Sequence, residues 1–572
     1  MKNKEIAEVF RQVAQLLEIK GDNPYRIRAY EKAAQTIEAL GVDVEELAKK
    51  DKLTSIPGIG ADLASKIQEI LRTNTLSLLE ELKKEIPPAL LTFLQIPSLG
   101  PKKVKAIYDK FGITSLEELE KLCLEHKIAR LSGFGLKTEE NILKGIKLLK
   151  ERKGRRPLGE VLPYAEEVVE ILKLKAPIEN IALAGSIRRR KEKVKDIDVL
   201  ITSEQPDKVM TVVANLPQVE EVIAFGETKT SVRLKMGIQM DVRVVPQDSW
   251  GAALAYFTGS KAHNIRVREL ALQMGLKINE YGVYRGEEWI GGRTEEEVYS
   301  LLGLPWIPPE LREDQGEIEA ALEGRLPKLV DYSDVVGDGH VHSTYSDGAS
   351  SLEEIMSYTE KLGLSWVAIC DHSQGLKVAG GLSVEELMKK KKHIEELNRN
   401  NTKVKLIFGA EVDINSDGTL DYPDEVLKEI DFVIAAIHTG FQQDERQITR
   451  RILSALKHPL VHAIAHPTGR LIGEREPYAV NLKEVFETAK KYGKAIEINA
   501  YYKRLDLPDI YVRAARDMGI KLIIGTDAHI VDQMSYLSLG IAVARRGWCE
   551  KKDLLNTLSY DEFRAWLKKL RE

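Results

Sequence analysis

The sequence predicts a multidomain chain: an all-α N-terminal region, a central α+β segment and a C-terminal α/β barrel. Three observations predict it. An apolar–Gly–apolar–Gly turn recurs between amphipathic helical stretches over the first 150 residues. Apolar runs in the middle of the chain carry aspartates, which strands ordinarily exclude. Nine of the 11 histidines lie after residue 330. Most of these end apolar runs that alternate with helical stretches, the pattern of a parallel barrel.

The 572 residues suffice for three to four domains at about 150 residues each. A hydrophobic content of 43% excludes disorder as the main state. No apolar run approaches the ~18 residues of a membrane span. The charged start MKNKEIAEVF is unlike a signal peptide. A cytoplasmic protein with no membrane partner is expected. Cys123, Cys370 and Cys549 are too scattered for a disulfide framework or a CxxC zinc site. The formal net charge is −4, so any nucleic-acid contact must come from local patches.

The helical region is divided at residue 80 (1–80 and 81–152). Ile6, Val9, Phe10, Val13, Leu16 and Leu17 mark an amphipathic helix. Three turns then precede helical stretches: Ile56-Pro57-Gly58-Ile59-Gly60, Ile96-Pro97-Ser98-Leu99-Gly100 and Leu131-Ser132-Gly133-Phe134-Gly135. Gly58, Gly60, Gly100, Gly133 and Gly135 let the backbone approach a ligand with no Cβ in the way. The N–H groups opening the next helix then face an anion. Lys102 and Lys103 add charge for a phosphate backbone. The pattern resembles the helix-hairpin-helix DNA-binding motif, with Ser98 in place of one glycine. KERKGRRPLGE (150–160) closes the region.

Residues 153–247 carry IALAGSIRRRKEKVKDIDVLI, in which Asp196 and Asp198 fall two apart on one strand and so share a face. Adjacent carboxylates repel, and a pair of hard divalent ions such as Mg²⁺ resolves this. Asp241, inside a second apolar strand, is a candidate third carboxylate. In phosphoryl transfer the charge spreads over phosphate oxygens. Ser186, after Gly185, suits a phosphate hydrogen bond, and Arg189 suits its neutralisation.

These motifs resemble the X family of DNA polymerases within the nucleotidyltransferase superfamily. The resemblance covers GSIRRRKEKVKDIDVL, Asp241, the YFTGS segment (Tyr256, Phe257, Gly259) and HNIRVREL with Asn264 and Arg268. It implies an α+β palm and, over 248–308, a thumb that selects the nucleotide. Tyr256, Phe257 and Gly259 would lie by the sugar of the incoming nucleotide. Asn264 and Arg268 would lie by the nascent pair and the template. Asp196 and Asp198 would hold two Mg²⁺ or Mn²⁺ ions, and Asp241 would help bind the catalytic one. NPYRIRAYEKAAQTI and IPGIGADLASKIQEIL look like the family's lyase domain, with Lys66 at its Schiff-base position. Here Asp62 replaces the second lysine of the usual pair, and Lys195 stands where the family often has glycine.

LPWIPPELREDQGEIEAALEGRLPKLVD is acidic and broken by prolines, so residues 309–334 are expected to be a linker. From 335 to 572, apolar strands alternate with helices. Their C-terminal ends carry His340, His342, His372, Glu411, His438, His466, Asp527 and His529, with Asp347 close behind the first pair. Nitrogen and carboxylate donors together suit Zn²⁺, Mn²⁺ or Fe²⁺, and nine donors suit up to three ions. The set resembles the polymerase-and-histidinol-phosphatase (PHP) domain, with every usual ligand position filled. That implies a distorted barrel and an active phosphoesterase. Arg470 is either a phosphate holder or a plain surface arginine. Glu497 is a candidate support behind the ligands. His393, His458 and His462 fit no ligand position, and Cys370 reads as a buried hydrophobe.

The resemblance implies a polymerase filling short gaps in base excision repair, with a 3′–5′ exonuclease in the barrel. Abasic-site cleavage and 3′-phosphatase activity are further implications. Its partners would be gapped or primer–template DNA and deoxynucleoside triphosphates, and the chain would be monomeric. Two other readings stay open: a polymerase whose barrel is a pyrophosphatase or small-molecule phosphatase, and a DNA-end-binding scaffold with weak catalysis.

Overall fold

The computed structural model describes residues 2–38, 44–50, 52–56, 58–73, 75–87, 89–94, 96, 99–152 and 155–572. Pro57, Pro97 and Ser98 of the expected turns lie outside them. The chain divides into two compact units, residues 1–153 with 473–475, and the remainder.

The first unit is helical. At their described residues, the three expected turns share one backbone pattern. Ile59, Leu99 and Phe134 donate to the carbonyls of Ile56, Ile96 and Leu131 at 3.0, 3.1 and 3.0 Å. Each turn then opens a helix: α1 (Ala61–Thr73), α2 (Pro101–Phe111) and α3 (Leu136–Arg152). Ala64, Val104 and Glu139 donate to Gly60, Gly100 and Gly135 at 2.9, 3.0 and 3.0 Å. The paired apolar positions anchor the turns: Ile56, Ile59, Ile96 and Leu99 are buried, and Leu131 and Phe134 are half-buried against the same core. The glycines are left outward, and a Cβ at Gly60, Gly100 or Gly135 would meet nothing within 4 Å.

The second unit contains a five-stranded sheet and a seven-stranded one. The smaller comprises β1 (Asn180–Leu183), β2 (Asp196–Thr202), β3 (Val219–Phe225), β4 (Lys229–Leu234) and β5 (Gln239–Val244), in the order β1-β2-β5-β4-β3. Only β2 and β5 run parallel, and their register sets Asp198 opposite Asp241. Helix α4 (Gly185–Arg188) follows β1, and α5 (Trp250–Thr258) and α6 (Lys261–Gln273) follow the sheet.

The larger sheet is all parallel and keeps sequence order: β6 (Gly337–Val341), β7 (Trp366–Ile369), β8 (Lys405–Asp413), β9 (Phe432–Ala436), β10 (Ala463–Ile464), β11 (Ala495–Asn499) and β12 (Leu522–Gly525). Its first and last strands meet. Asp527 donates to the His340 carbonyl at 2.8 Å, and His342 donates to Ala528 at 2.9 Å. These bonds nearly close the sheet into a barrel. Parallel strands covered on both faces need continuous apolar runs, and β7, β9 and β12 are buried throughout.

Residues 309–334 do not behave as a free linker. Pro309–Leu311 forms a 3₁₀ turn and Glu317–Leu322 a helix, α7. Leu311, Ile318, Ala320 and Ala321 pack into one core with Val267, Val298 and Tyr299 of the thumb region and Trp548 of the barrel region. The acids that made the stretch look solvated are paired instead. Glu310 meets Arg545 at 2.8 Å, Glu313 meets Arg189 at 3.0 Å, and Glu317 meets His263 at 2.7 Å. Composition cannot distinguish a carboxylate facing water from one facing a cation that arrives from elsewhere in the chain.

Candidate active sites

The palm site is built on β2 and β5. Asp196 and Asp198 share a face of β2, and Asp241 stands opposite Asp198. Gly185 has φ +59°, and a Cβ there would fall 2.3 Å from Asp198 Oδ2, so only glycine lets α4 start against the carboxylate. Burial, then Asp196 and Asp241, push the Asp198 carboxyl up to about 6. Burial would raise Asp241 as well. Hydrogen bonds from Gln239 and Ser231, and the Lys229 ammonium, nevertheless hold it below the usual carboxylate range. Gln239 donates to Asp241 Oδ1 at 2.8 Å, and Lys229 Nζ lies 3.5 Å from Oδ2. Three carboxylates crowded on one face, one held reluctant to ionise, fit divalent cations as neutralising partners.

The expected nucleotide residues fall into two groups. Tyr256, Asn264 and Arg268 line one shallow cleft beside Tyr299. There Asn264 donates to the Tyr256 carbonyl at 2.7 Å, and Arg268 to the Asn264 carbonyl at 3.3 Å. Phe257 turns away from that cleft and lies under the Arg243 guanidinium at 4.8 Å. Ser186 sits in the first turn of α4. Arg189 does not face open space. It donates to Glu313 at 3.0 Å and to the Thr258 carbonyl at 2.5 Å, next to Gly259. Beside it is a network that the sequence reading missed. Arg188 grips Glu295 with both Nη atoms at 2.8 and 2.7 Å, and Arg312 binds the same carboxylate at 2.6 Å. No local motif marks Glu295, because its partners are 107 and 17 residues away.

The barrel site gathers all nine expected donors at the C-terminal ends of the strands, where the side chains of a barrel converge. They form three overlapping groups: His342, Asp347, His372 and His529; His340, His342 and Asp527; His372, Glu411 and His438. His466 joins through Glu411 Oε1 at 2.8 Å. His466 and Asp527 hold left-handed backbone, with φ 25° and 53°, which re-aims both side chains at the end of a strand.

Their geometry fits metal ions. His340 Nε2 and His342 Nε2 approach to 3.1 Å, too close for both to carry protons comfortably. Buried His342 Nδ1, His466 Nδ1 and Glu411 Oε2 have no hydrogen-bond partner, yet Glu411 Oε2 lies 3.6 Å from His340 Nε2 and from His342 Nε2. Buried, orphaned lone pairs beside such donor groups are what bound cations satisfy. Burial, then His529 and His372, hold His342 down at about 4. Burial, then Arg504, hold His466 at about 3, so both present neutral nitrogens. Burial would lower His372 and His438 too, but Glu411 outweighs it and pushes them up to about 10 and about 9.

A second layer orients the ligands. Glu497 meets His340 Nδ1 at 2.7 Å, as anticipated, and Asp413 meets His438 Nδ1 at 2.6 Å. Arg470 is not the cation facing the ligands. It donates to Glu192 at 2.7 Å and to the Arg504 carbonyl at 2.8 Å. Arg504, which the sequence did not single out, lies 3.3 Å from Asp527 Oδ2. His393 bonds Tyr345 and Glu353, His458 bonds Asp424, and His462 accepts from Val433 N, and none of the three joins the donor groups found among the described residues.

In the helical unit, Lys66 is 19% exposed and hydrogen-bonded to Asp62. Gly58 and Gly133 take φ of +82° and +79°. Lys102 is exposed, and Lys103 lies over the Phe134 ring at 5.5 Å, joining two of the turns. No described helix is long and apolar enough to cross a membrane.

Four family models match: a helix-hairpin-helix domain over 1–76, a SAM-like helix-hairpin-helix tandem over 90–148, the DNA polymerase beta thumb over 253–313, and the PHP domain over 338–502. The thumb match runs through Arg312 and Glu313, into the stretch expected as a linker. The chain is 40% identical over 573 residues to the DNA polymerase/3′-5′ exonuclease PolX of Bacillus subtilis, covering 100% of both chains. It is 26% identical to DNA polymerase lambda of Arabidopsis thaliana over 54% of this chain and 62% of that one. A probable phosphatase of Caldanaerobacter subterraneus is 28% identical over 42% of this chain and 93% of its own length. Paired palm carboxylates, helix-hairpin-helix turns and a nine-donor barrel in one such chain have a single family in common: the protein belongs to the X family of DNA polymerases, in the form that carries a PHP domain.

Proposed function

We propose that the chain fills short gaps in DNA from deoxynucleoside triphosphates, and that its barrel is a divalent-metal-dependent 3′–5′ exonuclease, the pair serving base excision repair. The observation that carries this reading is the coexistence of two separate donor sets, a carboxylate trio and a nine-donor barrel, in a chain aligned end to end with a polymerase/exonuclease. Bound divalent ions would supply charge neutralisation at the palm and an activated water at the barrel. Asp196 and Asp198 would hold two Mg²⁺ or Mn²⁺, and Asp241 would bind the catalytic ion and orient the primer 3′-hydroxyl. Gly185 and Ser186 would admit the triphosphate. The nine barrel donors would hold up to three Mn²⁺, Zn²⁺ or Fe²⁺ ions, with Arg504 placed to stabilise phosphate charge beside Asp527. The outward glycines and Lys102 and Lys103 would grip duplex phosphates. Arg189 would reach the triphosphate only after exchanging Glu313 for it.

The test uses 5′-labelled primer on single-nucleotide-gapped DNA with Mn²⁺. Asp198→Ala is expected to abolish extension and retain shortening, and His342→Ala the reverse. Shortening that survives His342→Ala removes the exonuclease from the barrel. The probable-phosphatase relatives, which match about two fifths of this chain, favour one second reading, a barrel acting on small phosphates. It predicts phosphate release from pyrophosphate by wild type and by Asp198→Ala, lost in His342→Ala, with DNA ends left intact.

A further inference from the structure

We propose that the second unit binds a linear polyphosphate in a basic cavity between palm and barrel, apart from both donor sets. The cavity encloses about 410 Å³, within the roughly 300–1,000 Å³ of small-ligand pockets. Arg155, Arg190, Lys191 and Lys193 form its palm wall, and Arg470 and Arg546 stand on the barrel side. Only two carboxylates line it, Glu192 and Asp509. Both are already engaged, Glu192 by Arg470 at 2.7 Å and Asp509 by Arg546 at 2.6 Å.

The four palm cations are therefore under-compensated. Arg190 has Glu166 no nearer than 3.9 Å, and its Nη1 is buried with no hydrogen-bond partner. Lys191 reaches Glu313 at 3.7 Å, but Arg189 and Arg546 share that carboxylate at 3.0 and 3.1 Å. Arg155 and Lys193 pair with no carboxylate among the described residues. Like charges gathered around a concave, partly desolvated space repel, and an anion of matching charge relieves them. A single phosphate brings about two charges to these four cations, whereas a di- or triphosphate brings more charge and more acceptor oxygens to them. Pro508, Ile510 and Val543 add an apolar face on the barrel side, which suits a base attached to that row. The ligand chemistry is thus a linear polyphosphate, either free or as part of a nucleotide. Nothing in this assignment depends on the polymerase or exonuclease reading.

The test is calorimetric titration of the full chain carrying Asp196→Asn, without added divalent ions so that the palm contributes no metal-dependent nucleotide binding. The probes are orthophosphate, tripolyphosphate and ATP. One equivalent of tripolyphosphate is expected to bind, at least about tenfold more tightly than orthophosphate. Adding Arg155→Glu and Lys193→Glu should weaken it by about tenfold or more, while Lys389→Glu with Lys483→Glu, remote exposed reversals, should change it by less than about twofold. ATP binding more tightly than tripolyphosphate assigns a nucleotide with its base on the Ile510 face; equal binding assigns free polyphosphate. If the reversed variant fails to fold, Arg155→Ala with Lys193→Ala is read instead, with a loss of about threefold expected. Absence of binding, equal affinity for orthophosphate, or insensitivity to the cavity substitutions overturns the proposal.

Discussion

Glu295 shows what one side chain does in this structure. It is 4% exposed, held by Arg188 and Arg312, and also accepts from Trp306 Nε1 at 3.0 Å. Burial would raise its carboxyl, but the Arg188 hydrogen bonds and the Arg312 charge bring it from 4.5 down to about 2. A depressed acid stabilises the fold fully above its unfolded value and loses that stabilisation as pH falls through its folded value. The contribution is on the order of 3 kcal/mol. The difference in urea midpoint between wild type and Glu295→Gln should therefore be largest near neutrality and shrink as pH falls from about 4.5 toward about 2. A gap independent of pH would mean that the carboxylate charge contributes nothing. Lys66 makes the opposite case. Its ammonium is held by Asp62, so it is poorly available as an amine nucleophile. Borohydride trapping on 5′-deoxyribose-phosphate DNA should be weak, rise about threefold or more in Asp62→Asn, and vanish in Lys66→Ala. Lys66 was legible in the sequence as a position, and its partner only as a departure from the family.

At the scale of elements, the barrel depends on a lysine that touches no ligand. Lys390, on helix α8 (Val384–Asn400), is fully buried beneath the strands. It donates to Asp371 at 2.9 Å and to the Gly409 carbonyl at 2.9 Å. Asp371 in turn accepts from Ser343 N and Ser346 Oγ at 2.8 Å each, fixing the loop between His342 and Asp347. Lys390→Met leaves Asp371 charged and unpaired, and should cost about 3–5 kcal/mol in denaturant unfolding. It should also lower the metal content after dialysis. Asp371→Asn in the same background should restore part of both, because the uncompensated charge is gone. Full stability in Lys390→Met would sink this account. The strands themselves were legible, since apolar runs such as VAIC, FVIAA and LIIG call for burial. The brace was not, because a lysine in the run MKKKKHIEE reads as a solvated face. Residues 309–334 escaped for the same reason: acids and prolines look exposed until their arginines arrive.

At the scale of the whole molecule, the apolar clusters separate cleanly. One runs from Ile6 to Ile146, and the large cluster of the second unit runs from Leu158 to Leu554. Residues 155–572 should therefore fold alone, with a cooperative melt. They should keep metal-dependent shortening of single strands and lose about tenfold or more in gapped-DNA binding, because the three turns proposed to grip phosphates are gone. Failure to melt cooperatively would show that the helical unit is needed for the fold. Within the second unit, palm and barrel belong to one packed body. Leu158 and Val161 share a core with Leu539, and a Cβ at Gly159 would fall 2.4 Å from Tyr502 Cβ. The sequence by itself marked the turns, the Asp196–Asp198 pair and the barrel donors, because their signal lies in short spacings or in repeated placement at the ends of apolar runs. That Asp241 stands opposite Asp198 came only with the register of the two strands. Only the tertiary structure decided which cation serves which carboxylate. It tied Arg189 to Glu313, sent Arg470 to Glu192, set Arg504 beside Asp527 and buried the stretch expected as a linker. Such pairings join residues up to 278 positions apart. Electrostatic energy depends on distance through space and on burial, and neither is set by separation along the chain.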